Sequence, residues 1–322
     1  MFDGRTNHCG FSNSKFNRVA TALILSILFL LWASFRPVVL GHDTGMYINI
    51  FERYFSENTV RFSGVIFGLI ASGWATILNQ IPGGREIGGR MFLVFIALIE
   101  SVLFFNILRK KRPSEAILMA FSYGPLMLLD IIRQGLAMLL AGNFFSSKKL
   151  KLYLLVGAFA THIVAVISLL KIRLNNKNIK YVVIFVFIFL FIVFYLFGGL
   201  QNKFDYYYRL GSFNDLISKN GFLLGLKRLS IANIFVISFI VFGGIIRGFK
   251  NTETIILLIL YISSIFAPLL FRLYFFYFFI VSCSRDVLMK WNNVLYIIFN
   301  IGYALILLKF SLNAFAWYAP RH

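Results

Sequence analysis

Apolar runs of bilayer-spanning length recur along the chain, divided by short polar or basic stretches. They cover residues 19–35, 62–78, 91–108, 114–146, 152–170, 181–200, 230–246, 255–270, 271–283 and 293–312. A helix of about 20 apolar residues crosses the hydrocarbon core of a membrane. The pattern therefore predicts an all-α, polytopic integral membrane protein with about 10–11 transmembrane or re-entrant helices. Its expected order is a tail over 1–18, a single transmembrane domain over 19–312 with outer segments at 36–61 and 201–228, and a second tail over 313–322. Run 19–35 lacks a small-residue cleavage signal and reads as a start-transfer helix with the N-terminus cytoplasmic. Arg36-Pro37 ends it. The stretch 41–51 then reads as a short helix capped by Asp43 or Thr44, with Tyr47, Ile50, Phe51 and Tyr54 on one face.

Three runs need more than a straight span. Run 62–78 carries Gly64, Gly68, Ser72 and Gly73 and leads into Asn79-Gln80. An irregular, re-entrant element packed against protein is expected there. That leaves Arg109-Lys110-Lys111-Arg112 cytoplasmic, as the excess of Lys and Arg in inner loops requires. A glycine-rich turn, Ile81-Pro82-Gly83-Gly84, separates this run from the next. Run 114–146 is too long for one span and divides into two helices of about 16 residues each, with the turn near Asp130. Arg133 and Gln134 then lie at the outer end of the returning helix. Run 152–170 holds Ala160-Thr161-His162 at its centre and has basic clusters on both sides. A broken hairpin with His162 near its tip keeps both clusters inside.

Charge modifies this picture little. The chain has 32 Lys and Arg against 12 Asp and Glu, a formal net charge of +20. In a soluble domain that balance would suggest nucleic acid. Here the basic residues cluster between apolar runs, so the membrane accounts for them and no nucleic acid is expected. Cys9 and Cys283 stand far apart and indicate no disulfide framework.

The chemistry that remains is sparse. His8, His42, His162 and His322 fall in no metal-ligand spacing, and no phosphate-binding glycine loop or nucleophile elbow is present, so neither metal nor cofactor is expected. Arg133 stands out, because an arginine at bilayer depth costs at least about 2.5 kcal/mol and ordinarily faces a protein interior or an aqueous cavity. A plainer explanation is an interfacial pair with Asp130, three residues earlier on the helix. Arg133, Arg209 and Arg272 suit a diphosphate, since a guanidinium donates parallel hydrogen bonds to phosphate oxygens. Tyr47 and Tyr274 suit the apolar faces of sugars, and Gln134 their hydroxyls. Each has an ordinary alternative: Asp43 as a helix cap, His162 as a core histidine, Arg272 as a snorkelling side chain.

The order Arg36…Gly41-x-Asp43-Thr44-x-x-Tyr47, then Ile132-Arg133-Gln134-Gly135-Leu136-Ala137, then His162 after a lysine cluster, then Arg272-x-Tyr274-Phe275 resembles the EpsG-like branch of the Wzy polysaccharide polymerases. The Arg-Gln-x-x-Ala element is its most specific part. Members often carry a further N-terminal span, and Ser-Ala after the histidine where this chain has His162-Ile163-Val164-Ala165. The fold this implies is similar to GT-C-type membrane glycosyltransferases. The activity it implies is the joining of undecaprenyl-diphosphate-linked repeat units into O-antigen, capsule or exopolysaccharide, on the periplasmic face of the bacterial inner membrane. Donor and acceptor are both lipid-linked glycans, and a chain-length regulator is a further expected partner.

On that resemblance, Arg133, Arg272 and Arg209 bind diphosphate, and Gln134, Tyr47 and Tyr274 contact the acceptor or sugars. Asp43 or His162 takes the acceptor proton. Burial keeps a histidine in the neutral form a base needs, which favours His162, with Asp43 positioning the acceptor. Two other classes fit the same features. An O-antigen ligase shares the donor but has a larger outer loop than 201–228, and a flippase needs a charged path reaching the inner side.

Overall fold

The computed structural model describes residues 8–35, 47–48, 51, 65–129, 132–147, 152–171, 231–245, 251–266, 271–284, 298, 301–302 and 305. Among the described residues the secondary structure is entirely helical, as the pattern of apolar runs predicts. The elements are α1 (His8–Phe35), α2 (Val65–Leu78), α3 (Gly84–Leu108), α4 (Pro113–Leu129), α5 (Ile132–Ser146), α6 (Leu152–Thr161), a 3-10 helix (Ile163–Lys171), α7 (Ile231–Ile245), α8 (Asn251–Phe266) and α9 (Phe271–Ser284). Two stretches among them, Lys15–Phe35 and Ile87–Leu108, are apolar helix over 21 and 22 residues. At 1.5 Å per residue each is long enough to cross a hydrocarbon core of about 30 Å.

Several boundaries differ from the sequence reading. Helix α1 starts at His8 and takes in much of the stretch read as a polar tail. Once a long apolar helix is nucleated, each preceding residue adds a hydrogen bond at little further entropic cost. The run at 62–78, expected to be irregular, is a regular 14-residue helix, α2. Its glycines lower helix propensity without breaking the helix. At about 21 Å, α2 is shorter than a straight span. The turn after it is where the glycines place it. Gly83 has φ +72°, and a Cβ on Gly84 would lie 2.2 Å from the carbonyl oxygen of Leu78. The division of 114–146 also holds, with Pro113 at the first position of α4, where its missing N–H leaves no hydrogen bond unmade.

The chain divides into two compact units, each built from segments distant in sequence: residues 1–56, 75–135 and 288–322 form one, residues 57–74 and 136–287 the other. In the first unit α1 packs against α3 and α4, with Phe29 and Phe104 in contact at 5.3 Å between ring centroids. At the foot of α4, Lys111 pairs with Glu115 at 3.4 Å, and both side chains are buried. Glu115 lies in the first turn of α4, where the helix dipole favours an anion.

In the second unit α7 packs on α8, α8 on α9, and α9 on the 3-10 helix. Residues Tyr274 to Cys283 of α9 are all buried, which identifies α9 as an enclosed helix, apolar around its whole circumference. An ion pair between Lys171 and Glu253 ties the end of the 3-10 helix to the first turn of α8.

Candidate functional site

In the first unit the site residues are set by how the segment containing Tyr47 seats on α3. Tyr47, Ile48 and Phe51 have helical backbone. Phe51 stacks on Phe92 with ring centroids 4.9 Å apart and planes inclined by 11°. Ile48 lies against Gly89, so close that a Cβ on that glycine would come within 2.9 Å of the isoleucine Cγ2. Residue 48 meets 89 and residue 51 meets 92, so the segment runs in the same direction as α3. One turn before the aromatic stack, Tyr47 is delivered to Arg133.

Arg133 donates its Nε–H to the hydroxyl oxygen of Tyr47 at 2.6 Å, and its guanidinium carbon lies 5.4 Å from the centroid of the same ring. Tyr47 is buried and Arg133 half-buried. The guanidinium is thus held through its inner nitrogen, which is not one of the two terminal nitrogens of the fork. Arg133 is the second residue of α5, and that first turn contains no acidic residue. Cations are disfavoured at a helix N-terminus, where the backbone N–H groups already present partial positive charge. An arginine there adds a full charge to those partial ones. Gln134 follows it, almost wholly buried.

The second unit repeats this placement. Arg272 is the second residue of α9, again in a first turn with no acidic residue, and it is half-buried. Tyr274 is enclosed by Tyr261 at 4.8 Å, Phe271 at 5.8 Å and Phe278 at 6.0 Å between ring centroids. Tyr274, expected to contact the acceptor, is fully buried. Tyr261 in turn donates its hydroxyl hydrogen to Asn233 Oδ1 at 2.8 Å, linking α8 to α7.

His162 stands at the break between α6 and the 3-10 helix, where the chain was expected to be interrupted. The hydroxyl of Thr161, the last residue of α6, donates to the carbonyl oxygen of Gly157 at 2.7 Å, a back-bond that bends helix ends. The imidazole then caps the next helix: the backbone N–H of Val164 donates to His162 Nδ1 at 3.2 Å. A nitrogen that accepts a hydrogen bond carries no proton, so the neutral ring bears its hydrogen on Nε2.

The ion pair at the far end fixes the direction of this helix. Lys171 lies beside the start of α8, and nine residues of 3-10 helix rise about 18 Å back to His162. His162 therefore lies at the opposite end of the 3-10 helix from the ion pair. Asp43 and Arg209, the other expected site residues, and Asp130, the suggested partner of Arg133, lie outside the described residues. Among the described residues no group of three or more His, Cys, Asp or Glu side chains is placed to hold a metal ion.

A model of the EpsG family matches residues 19–319. The chain belongs to the EpsG family. This EpsG-family protein is accordingly a membrane protein of polysaccharide-polymerase type, and membership carries polymerase-type glycosyl transfer as its general activity. No curated protein and no solved structure matches the chain. What sequence reading missed is the seat of Tyr47 on α3. Its one signal was Gly88-Gly89, a glycine pair in a stretch with no turn to make, costing about 1 kcal/mol each in a helix.

Proposed function

We propose that this EpsG-family protein polymerises undecaprenyl-diphosphate-linked oligosaccharide repeat units on the periplasmic face of the bacterial inner membrane, with its N-terminus cytoplasmic. The observation that carries the reading is the orientation of Arg133: a guanidinium held by Tyr47 at the N-terminal turn of α5, where an anion is the favoured partner. Arg272, at the equivalent place on α9, and Arg209 are the other diphosphate-binding arginines of this proposal. A GT-C-type arrangement of about ten or eleven membrane segments belongs to the same reading, as does a chain-length regulator as partner.

The bond that breaks joins the anomeric carbon of the donor glycan to its diphosphate. The bond that forms joins that carbon to a hydroxyl oxygen at the non-reducing end of the acceptor. The leaving lipid diphosphate departs with the electron pair, and its growing charge is what the arginines stabilise. The acceptor proton needs a base. His162 Nδ1 already accepts from the Val164 N–H, so the tautomer that supports this cap offers an Nε2–H and no lone pair. Asp43 is therefore the base in this proposal, and His162 a neutral donor to the diphosphate. Asp43 precedes Tyr47 by four residues, which keeps it within about 14 Å of Tyr47 by covalent reach. Gln134 and Tyr274, both buried, support the arginines beside them.

The test is the lipid-linked glycan pool of a deletion strain. Single repeat units on undecaprenyl diphosphate should accumulate and polymer should disappear. Full-length polymer left unattached to its final acceptor would point to a ligase. Repeat units trapped on the cytoplasmic face would point to a flippase.

A further inference from the structure

Gly89 lies on α3, against the segment that carries Tyr47. A methyl group there would stand 2.9 Å from Ile48 Cγ2 and 3.4 Å from both Ile48 Cα and Cβ. Isoleucine is branched at Cβ and stiff at χ1, so its methyl cannot swing aside as the end of a long side chain would. The backbone of the segment must lift instead. Tyr47 is the neighbouring residue, and its hydroxyl is the acceptor for the Arg133 Nε–H. One turn further along, the Phe51–Phe92 stack holds the segment's other end. A lift at Ile48 with Phe51 pinned tilts Tyr47 away from α5.

We propose that Gly89 is a positioning residue for the Arg133–Tyr47 pair: the absence of a side chain at 89 seats Ile48 and so sets the direction in which the guanidinium fork points. Two features fit this assignment. Glycine inside a helix destabilises it by about 1 kcal/mol relative to alanine, so its presence mid-helix calls for a compensating close approach. The approach observed is to the segment that carries Tyr47. The proposal rests on the reading of Arg133 as a diphosphate group where activity is measured, and stands apart from it where the pair's geometry is measured.

The experiment compares wild type, Gly89→Ala, Ile48→Ala and the double variant, each purified in nanodiscs. One arm measures the initial rate of polymer formation from a lipid-diphosphate-linked repeat unit, with KM for the donor and kcat separately. The other follows the Arg133 Nε–H resonance, assigned by its loss in Arg133→Lys. A displacement of 1 Å at a substrate-orienting group costs about 100-fold in rate. Gly89→Ala should therefore lose at least about tenfold in kcat/KM, mainly through KM, at unchanged abundance and melting temperature. Its Arg133 resonance should move. Ile48→Ala, which removes the only atom closer than 3 Å, should behave like wild type, and the double variant should recover both readouts. An unmoved resonance in Gly89→Ala, or a double variant as impaired as the single, overturns the proposal. If wild type forms no polymer, the function reading fails, and the resonance arm still decides the positioning role.

Discussion

Arg133 and Tyr47 are 86 residues apart in sequence and joined by a hydrogen bond of 2.6 Å from Nε to the phenolic oxygen. The bond uses the nitrogen that is not part of the terminal fork. Lysine has no equivalent of that nitrogen. Arg133→Lys should therefore lose both the anchor and the paired donors while keeping the charge, and most polymerase activity with them. Arg133→Ala should lose nearly all of it, with the protein inserted at normal abundance. Polymer length and yield in complemented deletion strains provide the measurement, and normal polymer from the alanine variant would remove Arg133 from the site.

Tyr47→Phe isolates the anchor from the ring. The face against which the guanidinium packs remains, and only the acceptor oxygen goes. Hydrogen bonds to charged groups contribute about 1.5–3 kcal/mol. A loss of roughly ten- to a hundredfold in kcat/KM is expected, most of it in donor KM. Equal activity of the two proteins would show that stacking alone holds the arginine.

His162 lends itself to a pair of isosteres. Asparagine places an oxygen where Nδ1 stands and can keep the cap on Val164; glutamine places an amide nitrogen near Nε2 and keeps the donor. If the ring works as an Nε2–H donor, His162→Gln should retain much of the activity and His162→Asn should lose it, with both proteins folded. A general base predicts loss in both, together with an acidic limb in the pH–rate profile that neither variant shows. Asp43→Asn should abolish turnover while leaving donor binding intact.

The Lys171–Glu253 pair joins the last residue of the 3-10 helix to the first turn of α8, with side chains 9% and 6% exposed. Removing one partner of a buried pair takes away the opposite charge that offsets the other's burial, at a cost of about 3–5 kcal/mol. Glu253→Ala should accordingly destabilise the protein by about that amount in an unfolding titration. Replacing both residues, as Lys171→Met with Glu253→Leu, should recover most of the loss. A double variant no more stable than Glu253→Ala would mean that the pair contributes little.

Topology is best probed beside Lys111, not at it. That side chain is buried against Glu115, while Arg112 is exposed. Cysteine at 112 should react with impermeant reagents only from the cytoplasmic side, and cysteine at 43 only from the periplasmic side. Labelling of 112 from outside would carry Arg133 to the cytoplasmic face.

The sequence revealed what length and helix-breaking chemistry control. The stretch from 114 to 146 lies between two basic clusters and is too long for one crossing, so its division next to Asp130 was readable, and α4 and α5 are the result. The glycine turn before α3 was readable because Pro82, Gly83 and Gly84 have few other uses together. Arg133 was readable from its cost in an apolar run. Its partnership with Tyr47 was not, because no local pattern links residues on separate elements. Helix α3 starts at Gly84, before the apolar run read from residue 91, because glycines lower helix propensity without forbidding it and the space Gly89 leaves is filled by Ile48. Tyr274, counted toward the site on its motif, is packed among Tyr261, Phe271 and Phe278, a burial that the motif alone does not show.

The distance in sequence between Tyr47 and Arg133 has a consequence for biogenesis. At roughly 5–20 residues per second, a ribosome takes on the order of 4–17 s to add the 86 residues between them. By the time the arginine reaches the translocon, the tyrosine has been synthesised, and so has the glycine surface on which its segment rests. The residue least welcome in lipid is thus synthesised after the hydroxyl that accepts its hydrogen bond and after the glycine against which the tyrosine's segment rests.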